Sequence, residues 1–235
     1  MPLHIGIVAC TAEGAALCYR TICEEGAQRI GGRSHPEVSL HNHSLADFMA
    51  GMNSNDWEKV ADLIVSSASK LARAGADFFV CPANTVHLAF PLIGDRAPIP
   101  YLHIGEVVAE RAKSMNFERV GLLGTRSLVE SDIYPSAFAA HGLNCVRTEM
   151  ADRVEMNRII FEELTRGIFK PESVRTIQRS IEDLKALGCD SVVLGCTELP
   201  LIIDDNNSTL PVLDSTRLLA RAALARAING GGRPQ

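Results

Sequence analysis

Lys70-Leu71-Ala72-Arg73-Ala74-Gly75-Ala76-Asp77 runs directly into Phe78-Phe79-Val80-Cys81-Pro82. The first part reads as a helix end closed by a glycine cap. The second reads as a buried strand. Upstream, residues 56–74 carry Leu63, Ile64, Leu71 and Ala72 on one apolar stripe, as a helix packed on a sheet requires. Outward from this stretch, the two patterns alternate. Strands are predicted at residues 4–10, 37–41, 77–82, 119–124, 144–147, 190–195 and 210–213, all apolar runs of the kind a parallel sheet buries on both faces. Helices are predicted at 12–26, 56–74, 105–114, 128–141, 154–166, 171–187 and 215–229. Alternating βα units imply parallel sheets with helices on both faces.

The chain also resembles itself. In the first half a strand meets the turn Ala9-Cys10-Thr11-Ala12-Glu13-Gly14, and later comes Phe79-Val80-Cys81-Pro82-Ala83-Asn84-Thr85. In the second, Val120-Gly121-Leu122-Leu123-Gly124-Thr125 is followed about 70 residues on by Val192-Val193-Leu194-Gly195-Cys196-Thr197, a weak internal duplication. Asp95-Arg96-Ala97-Pro98-Ile99-Pro100 interrupts helix and strand alike and marks the expected boundary. The expected domains are 1–97 with 214–235, the last helix returning to the first half, and 98–213. The tail from Gly230 to Gln235 is expected to fray.

The 235 residues carry 46% hydrophobic and 22% charged side chains, with a net charge of −5, an ordinary globular composition. The charges are interspersed, which argues against a nucleic-acid footprint. No apolar run approaches the ~18 residues of a membrane span. The start, Met1-Pro2-Leu3-His4-Ile5-Gly6-Ile7, reads as a first strand and not a signal peptide, so a cytoplasmic location is expected. The seven cysteines include no CxxC pair, and free thiols are expected. Cys18, Cys23, Cys145 and Cys189 read as small buried hydrophobes.

Ligands of parallel α/β sheets bind beyond the carboxyl ends of the strands. Five such ends carry small polar groups: Cys10-Thr11, Ala83-Asn84-Thr85, Thr125-Arg126-Ser127, Cys196-Thr197-Glu198 and Asp214-Ser215-Thr216. Hydroxyls and amides there suit a carboxylate, and equally serve as helix caps. The cap reading is preferred for Asp214-Ser215-Thr216, the site reading for the other four. Cys196 stands at the polar end of a strand before a helix-like turn, where a helix N-terminus would favour thiolate. His35, His41 and His43 are too sparse a pattern for a metal site and read as solvated or cleft-lining. Trp57 is assigned to core or interface.

Cys81-Pro82-Ala83-Asn84-Thr85-Val86-His87 resembles the Cys-Asn-Thr-Ala-His motif of the aspartate/glutamate racemases. Gly195-Cys196-Thr197-Glu198-Leu199-Pro200-Leu201 resembles their second motif, Gly-Cys-Thr-Glu followed by an apolar residue and Pro. Leu123-Gly124-Thr125-Arg126-Ser127-Leu128, followed by Tyr134, resembles their Leu-Gly-Thr segment. The likeness runs along nearly the whole chain. Glu198, where glutamate racemases usually have His, points to the aspartate racemase branch.

The resemblance implies an α/β fold of two pseudo-symmetric parallel-sheet domains with the active site in the cleft between them. It implies a homodimer that needs no pyridoxal phosphate, other cofactor or metal, and a small carboxylate or amino-acid substrate as partner; the composition adds the expectation of no nucleic-acid and no membrane partner. The implied activity is racemisation or epimerisation of aspartate, glutamate or a related acidic amino acid by thiol-mediated proton transfer at Cα. Cys196 is the implied acid/base, with Thr85 as a hydroxyl partner. Implied substrate contacts are Thr11, Ala83, Asn84, Thr85, Thr125, Ser127, Thr197 and Glu198, with Arg166 for a second carboxylate and Arg126 as an alternative. His87 falls on the motif histidine and reads as structural.

One position departs from the pattern. Alignment on Asn84-Thr85 puts Ala83 where the first catalytic cysteine belongs. Cys81 lies two residues earlier on the same strand face, roughly 6–7 Å further back. Three explanations stay open: a hydroxyl (Thr85 or Thr11) or water serves the second face; the chemistry is one-sided, as in the related arylmalonate decarboxylases; or Ala83 is an engineered, inactivating change. The alternatives are therefore a lyase or isomerase of malonate-, maleate- or hydantoin-like acids, or a non-catalytic carboxylate-binding protein.

Overall fold

The computed structural model describes residues 1–230. It divides into two compact units, one made of Met1–Ile104 with the chain from Thr216 onward, the other of Gly105–Ser215. Gly230 closes the last helix, and the fraying expected of residues 231–235 lies outside the described residues.

The first unit runs β1 (Ile5–Ala9), α1 (Ala12–Ile30), β2 (Val38–Asn42), α2 (Leu45–Asn53), α3 (Trp57–Arg73), β3 (Phe78–Val80), the short α4 (Phe90–Ile93) and β4 (Tyr101–Leu102). The second runs α5 (Ile104–Ser114), β5 (Arg119–Leu123), α6 (Arg126–Val129), α7 (Ile133–Ala140), β6 (Asn144–Arg147), α8 (Met150–Glu162), α9 (Pro171–Ala186), β7 (Ser191–Leu194) and β8 (Val212–Asp214). The last helix, α10 (Ser215–Gly230), belongs to the first unit from Thr216 on. There Leu3 N–H donates to Ala227 O at 2.9 Å, and the Arg226 guanidinium lies 4.8 Å from the Phe78 ring centroid. The sheets have orders β2-β1-β3-β4 and β6-β5-β7-β8, with every pairing parallel. The duplication seen in the sequence is thus a duplication of topology. Each unit has its own core: Val8, Phe48, Ile64, Phe79 and Ile93 in the first, and Ile159, Ile177, Ile181, Val192 and Leu194 in the second.

Several element bounds differ from expectation, each for a local reason. The helix expected to stop at Gly26 continues to Ile30, because Gly26 is a packing glycine. A Cβ there would come within 2.9 Å of His35 Cβ, and Gly31, at φ 98°, is the residue that ends the helix. The single helix expected over 128–141 breaks at Ser131, whose hydroxyl donates back to Leu128 O at 2.7 Å and accepts from Ile133 N. α2 is not expected from the sequence. It is capped by Ser44, which accepts from Ala46 N at 3.3 Å, and anchored by the fully buried Phe48. The helix expected over 154–166 starts at Met150 and stops at Glu162, followed by a 3-10 turn, Leu164–Arg166, and Gly167 in the left-handed region.

His41 and His43 are bonded to Ser67 and Ser66 of α3, at 3.0 and 3.1 Å, and His35 to the Pro36 carbonyl. Trp57 is half-buried against the first core, its indole N–H donating to Asn55 Oδ1 at 2.6 Å. Cys18 and Cys189 are buried as expected; Cys23 and Cys145 are only partly so.

The carboxylate of Glu163, at the end of α8, is 2% exposed and accepts from Ser173 Oγ at 2.5 Å, Arg158 at 2.7 Å and Lys170 at 3.3 Å. These donors hold its pKa down at about 2, the Ser173 hydroxyl contributing most. A carboxyl whose folded-state pKa is depressed stabilises the fold above its unfolded value and loses that contribution as pH falls. Glu163→Gln is therefore expected to cost about 2 kcal/mol near neutrality, between the values for exposed and buried ion pairs. It should also remove the loss of stability that sets in below about pH 4.5 and extends towards pH 2. Denaturant unfolding across that range checks both.

Candidate active site

In each sheet the two central strands carry the candidate residues just past their carboxyl ends. In the first unit these are Thr11 after β1 and Ala83-Asn84-Thr85 after β3. Thr11 also caps α1, accepting from Gly14 N at 3.3 Å. Asn84 is 5% exposed, while Ala83 and Thr85 are partly exposed, Ala83 packing against the core. The turn is braced by His87, whose Nε2 is 2.9 Å from the Cys81 carbonyl oxygen and whose ring stacks on Phe90 at 3.9 Å. Cys81 has no exposed surface, and burial pushes its thiol up to about 12. It faces the core and not the strand end. The partly exposed residue past the end of β3, Ala83, thus brings no thiol there.

In the second unit Thr125 and Ser127 follow β5, and Cys196-Thr197-Glu198 follow β7. Thr125 caps α6, accepting from Leu128 N at 3.4 Å, and Ser127 is exposed. The Arg126 main-chain N–H donates to Asn157 Oδ1 at 3.0 Å, and its guanidinium is paired with Glu130 at 2.8 Å. Asn157 is a polar group at this rim that no sequence motif pointed to. Arg166 is exposed at the end of its 3-10 turn and forms no ion pair among the described residues.

The β7 end is tightly made. Gly195 N–H donates to Leu123 O at 2.8 Å, and a Cβ on Gly195 would lie 2.5 Å from Leu128 Cδ2 and 2.9 Å from that same carbonyl oxygen. Main chain cannot give way as a side chain can, so Gly195→Ala is expected to destabilise the fold by about 2 kcal/mol, as overpacking does. It should also alter the reactivity of the neighbouring thiol. A thermal melt and a thiol-alkylation time course read the two effects.

Cys196 is 9% exposed. Its thiol donates to Glu198 Oε2 at 2.9 Å, and Thr197 Oγ1 donates to the same oxygen at 2.8 Å. Glu198 is itself 5% exposed, and its carboxylate is turned onto these two neighbours. Burial, then the Glu198 charge and its bond to the thiol, raise the Cys196 pKa well above the ordinary value; the main-chain N–H groups of Glu198 and Thr197 oppose them. This corrects the expectation of a thiolate favoured by a helix N-terminus. The chain beyond the cysteine forms only a three-residue 3-10 turn, Leu199–Leu201, too short to carry a helix dipole. At rest the group is a thiol with its proton aimed at a carboxylate.

A sequence model of the Asp/Glu/Hydantoin racemase family matches residues 7–223. The chain belongs to that family. Its named relatives are amino-acid racemases, which makes this an isomerase family. The broad specificity amino-acid racemase RacX of Bacillus subtilis (strain 168) is 24% identical over 173 residues, 72% of this chain and 73% of that protein. The chain spans 55% and 47% of two glutamate racemases that it matches. Among solved structures, a candidate Asp/Glu racemase from Yersinia pestis superposes with a TM-score of 0.90 at 30% identity, covering 96% of this chain and 99% of that one. An aspartate racemase homologue from Pyrococcus horikoshii OT3 gives 0.85 at 30% identity, covering 97% and 100%. The racemase fold expected from the motifs is thus the fold observed.

Proposed function

We propose that this protein is a cofactor-independent racemase or epimerase acting on aspartate, glutamate or a related small acidic amino acid, with Cys196 moving the Cα proton. The observation that carries this reading is the 2.9 Å bond from the Cys196 thiol to Glu198. A buried thiol becomes a base only if its proton has somewhere to go, and Glu198 Oε2 is the acceptor within reach. The proton passes from sulfur to Glu198, leaving a thiolate held by the Thr197 and Glu198 main-chain N–H groups. The thiolate then takes the Cα proton. If that proton goes back from the same side, Glu198 returns its own to sulfur and the resting pair is restored with configuration kept; if a group on the far side supplies the new Cα proton, the proton on Glu198 passes to solvent and that donor regains one from solvent. Inversion needs a second donor on the opposite face, since a proton must leave one side of Cα and arrive on the other. Thr85, with Thr11, offers hydroxyls for this on the first unit.

In this reading Thr11, Asn84, Thr85, Thr125, Ser127 and Thr197 supply donors to the α-carboxylate, Ala83 lines the site, and Arg166 meets a second carboxylate. A homodimer belongs to the same proposal and rests on the family resemblance alone; a cytoplasmic location rests on the reading of residues 1–7 as a first strand. The test is chiral analysis of enantiopure L- and D-aspartate and glutamate incubated with pure protein. Appearance of the opposite enantiomer supports the reading; optical stability of all four, with no exchange at Cα, removes it.

One observation favours a second reading. Ala83 carries no ionisable proton, Cys81 has no exposed surface, and Cys10, just past β1, is buried in the first core, so the first unit offers no exposed thiol at its strand ends. One-sided chemistry on a malonate-, maleate- or hydantoin-like acid would need only Cys196. Turnover of such an acid that is lost in Cys196→Ala, with amino acids left untouched, would select it.

A further inference from the structure

Tyr134, on α7, has no exposed surface, and the proton transfers above give it no task. Its phenol is hydrogen-bonded to the Ser215 hydroxyl. Ser215, the first residue of α10, is equally buried, and its hydroxyl donates to the Leu194 carbonyl at 2.9 Å. Because that proton is committed to Leu194, the phenol is the donor in the first bond. Two hydroxyls in an apolar interior are unfavourable unless each is bonded. A phenylalanine would fill nearly the same volume without that demand.

The relay ends on Leu194, the last residue of β7 and two residues before Cys196. From there the chain has little freedom. The Leu194 carbonyl is held by Ser215 and the Gly195 N–H by Leu123 O, so the 194–195 peptide is fixed from both sides. Rotation of that peptide would shift the start of the turn that carries both Cys196 and Glu198, and a hydrogen bond weakens steeply as its angle closes.

We propose that Tyr134 and Ser215 are positioning residues: a buried hydroxyl relay that sets the Leu194–Gly195 peptide and, through it, the Cys196–Glu198 bond. The proposal rests on the reading of Cys196 as the acid/base. The experiment tracks alkylation of Cys196 by iodoacetamide against pH, resolved by peptide mass spectrometry, in Tyr134→Phe and Ser215→Ala, beside kcat and KM for Cα exchange. Loosening the bond to Glu198 removes an influence that holds the proton on sulfur. Alkylation at a given pH below the midpoint should therefore quicken by roughly threefold, as a half-unit fall in the thiol pKa would produce. The value of kcat should fall by about tenfold with KM little changed. In a Glu198→Gln background the alkylation effect should vanish. If the variants only lower the melting temperature, with alkylation profile and kcat intact, the relay is a core hydrogen bond and the proposal fails. Should Ser215→Ala not fold, Tyr134→Phe decides alone. Alkylation needs no substrate, so a shifted profile in a protein that exchanges no amino acid would uphold the relay and remove the racemase reading instead.

Discussion

Glu198→Gln is expected to slow Cα proton transfer by about 10²-fold or more, the loss typical when a positioned acid/base is removed. The same variant should make Cys196 easier to alkylate. These opposite effects arise from two separable properties of the carboxylate. Its charge and its bond to the thiol raise the Cys196 pKa, so removing the charge lets the thiol ionise at lower pH. Its oxygen also accepts the thiol's hydrogen bond at 2.9 Å, and in the proposed mechanism it takes the thiol proton. An amide of nearly the same shape keeps the packing but cannot take that proton. Parallel rate and alkylation profiles against pH separate the two properties. If rate and alkylation fall together, Glu198 is a structural support and not a proton acceptor.

Ala83→Cys is expected to raise inversion by about 10²-fold relative to Cα exchange, again the scale of one added acid/base group. With Cys196 as the single acid/base thiol, the unaltered protein should wash solvent deuterium into one enantiomer faster than it produces the other. The proton that sulfur removes would return from the same side more often than a hydroxyl supplies one from the opposite side. A thiol at residue 83 matches the affinity of the two donors and should draw the two rates together. Ala83 is partly exposed at the end of β3, so the added sulfur need not enter the core. The comparison is between deuterium wash-in by mass spectrometry and enantiomer ratio by chiral chromatography on the same samples. An unchanged ratio would mean that residue 83 does not face the reacting carbon.

Much of this architecture is written in local patterns. Residues 70–80 show why: a helix stripe, a glycine at φ 95° and three apolar residues each act within a few positions, and β3 falls inside its predicted span. The repeated turn motifs foretell the repeated sheet order for the same reason. Contact between distant residues is what a sequence does not show. Gly26 reads as a terminator because nothing nearby reveals that His35 packs on it. β4, only two residues long, is held by its pairing with β3 and has no periodicity to read. The site divides in the same way. Thr125, Thr197 and Cys196 are visible in motifs at strand ends. Asn157 and Ser215 act through partners 31 and 21 positions away, which no spacing announces. A strand leading into a turn suggests a helix N-terminus, and with it the wrong ionisation for Cys196. The turn is a single 3-10 element, and burial of the thiol, with the carboxylate two residues on, raises its pKa.

The most direct measurement is deuterium incorporation at Cα of L- and D-aspartate and glutamate in deuterium oxide, with the natural protein and Cys196→Ser side by side. Label entering at least one of these acids with the natural protein, and falling to the uncatalysed rate in the serine variant, is the result expected of a thiol that moves the proton. Undiminished incorporation in a folded Cys196→Ser protein would contradict it.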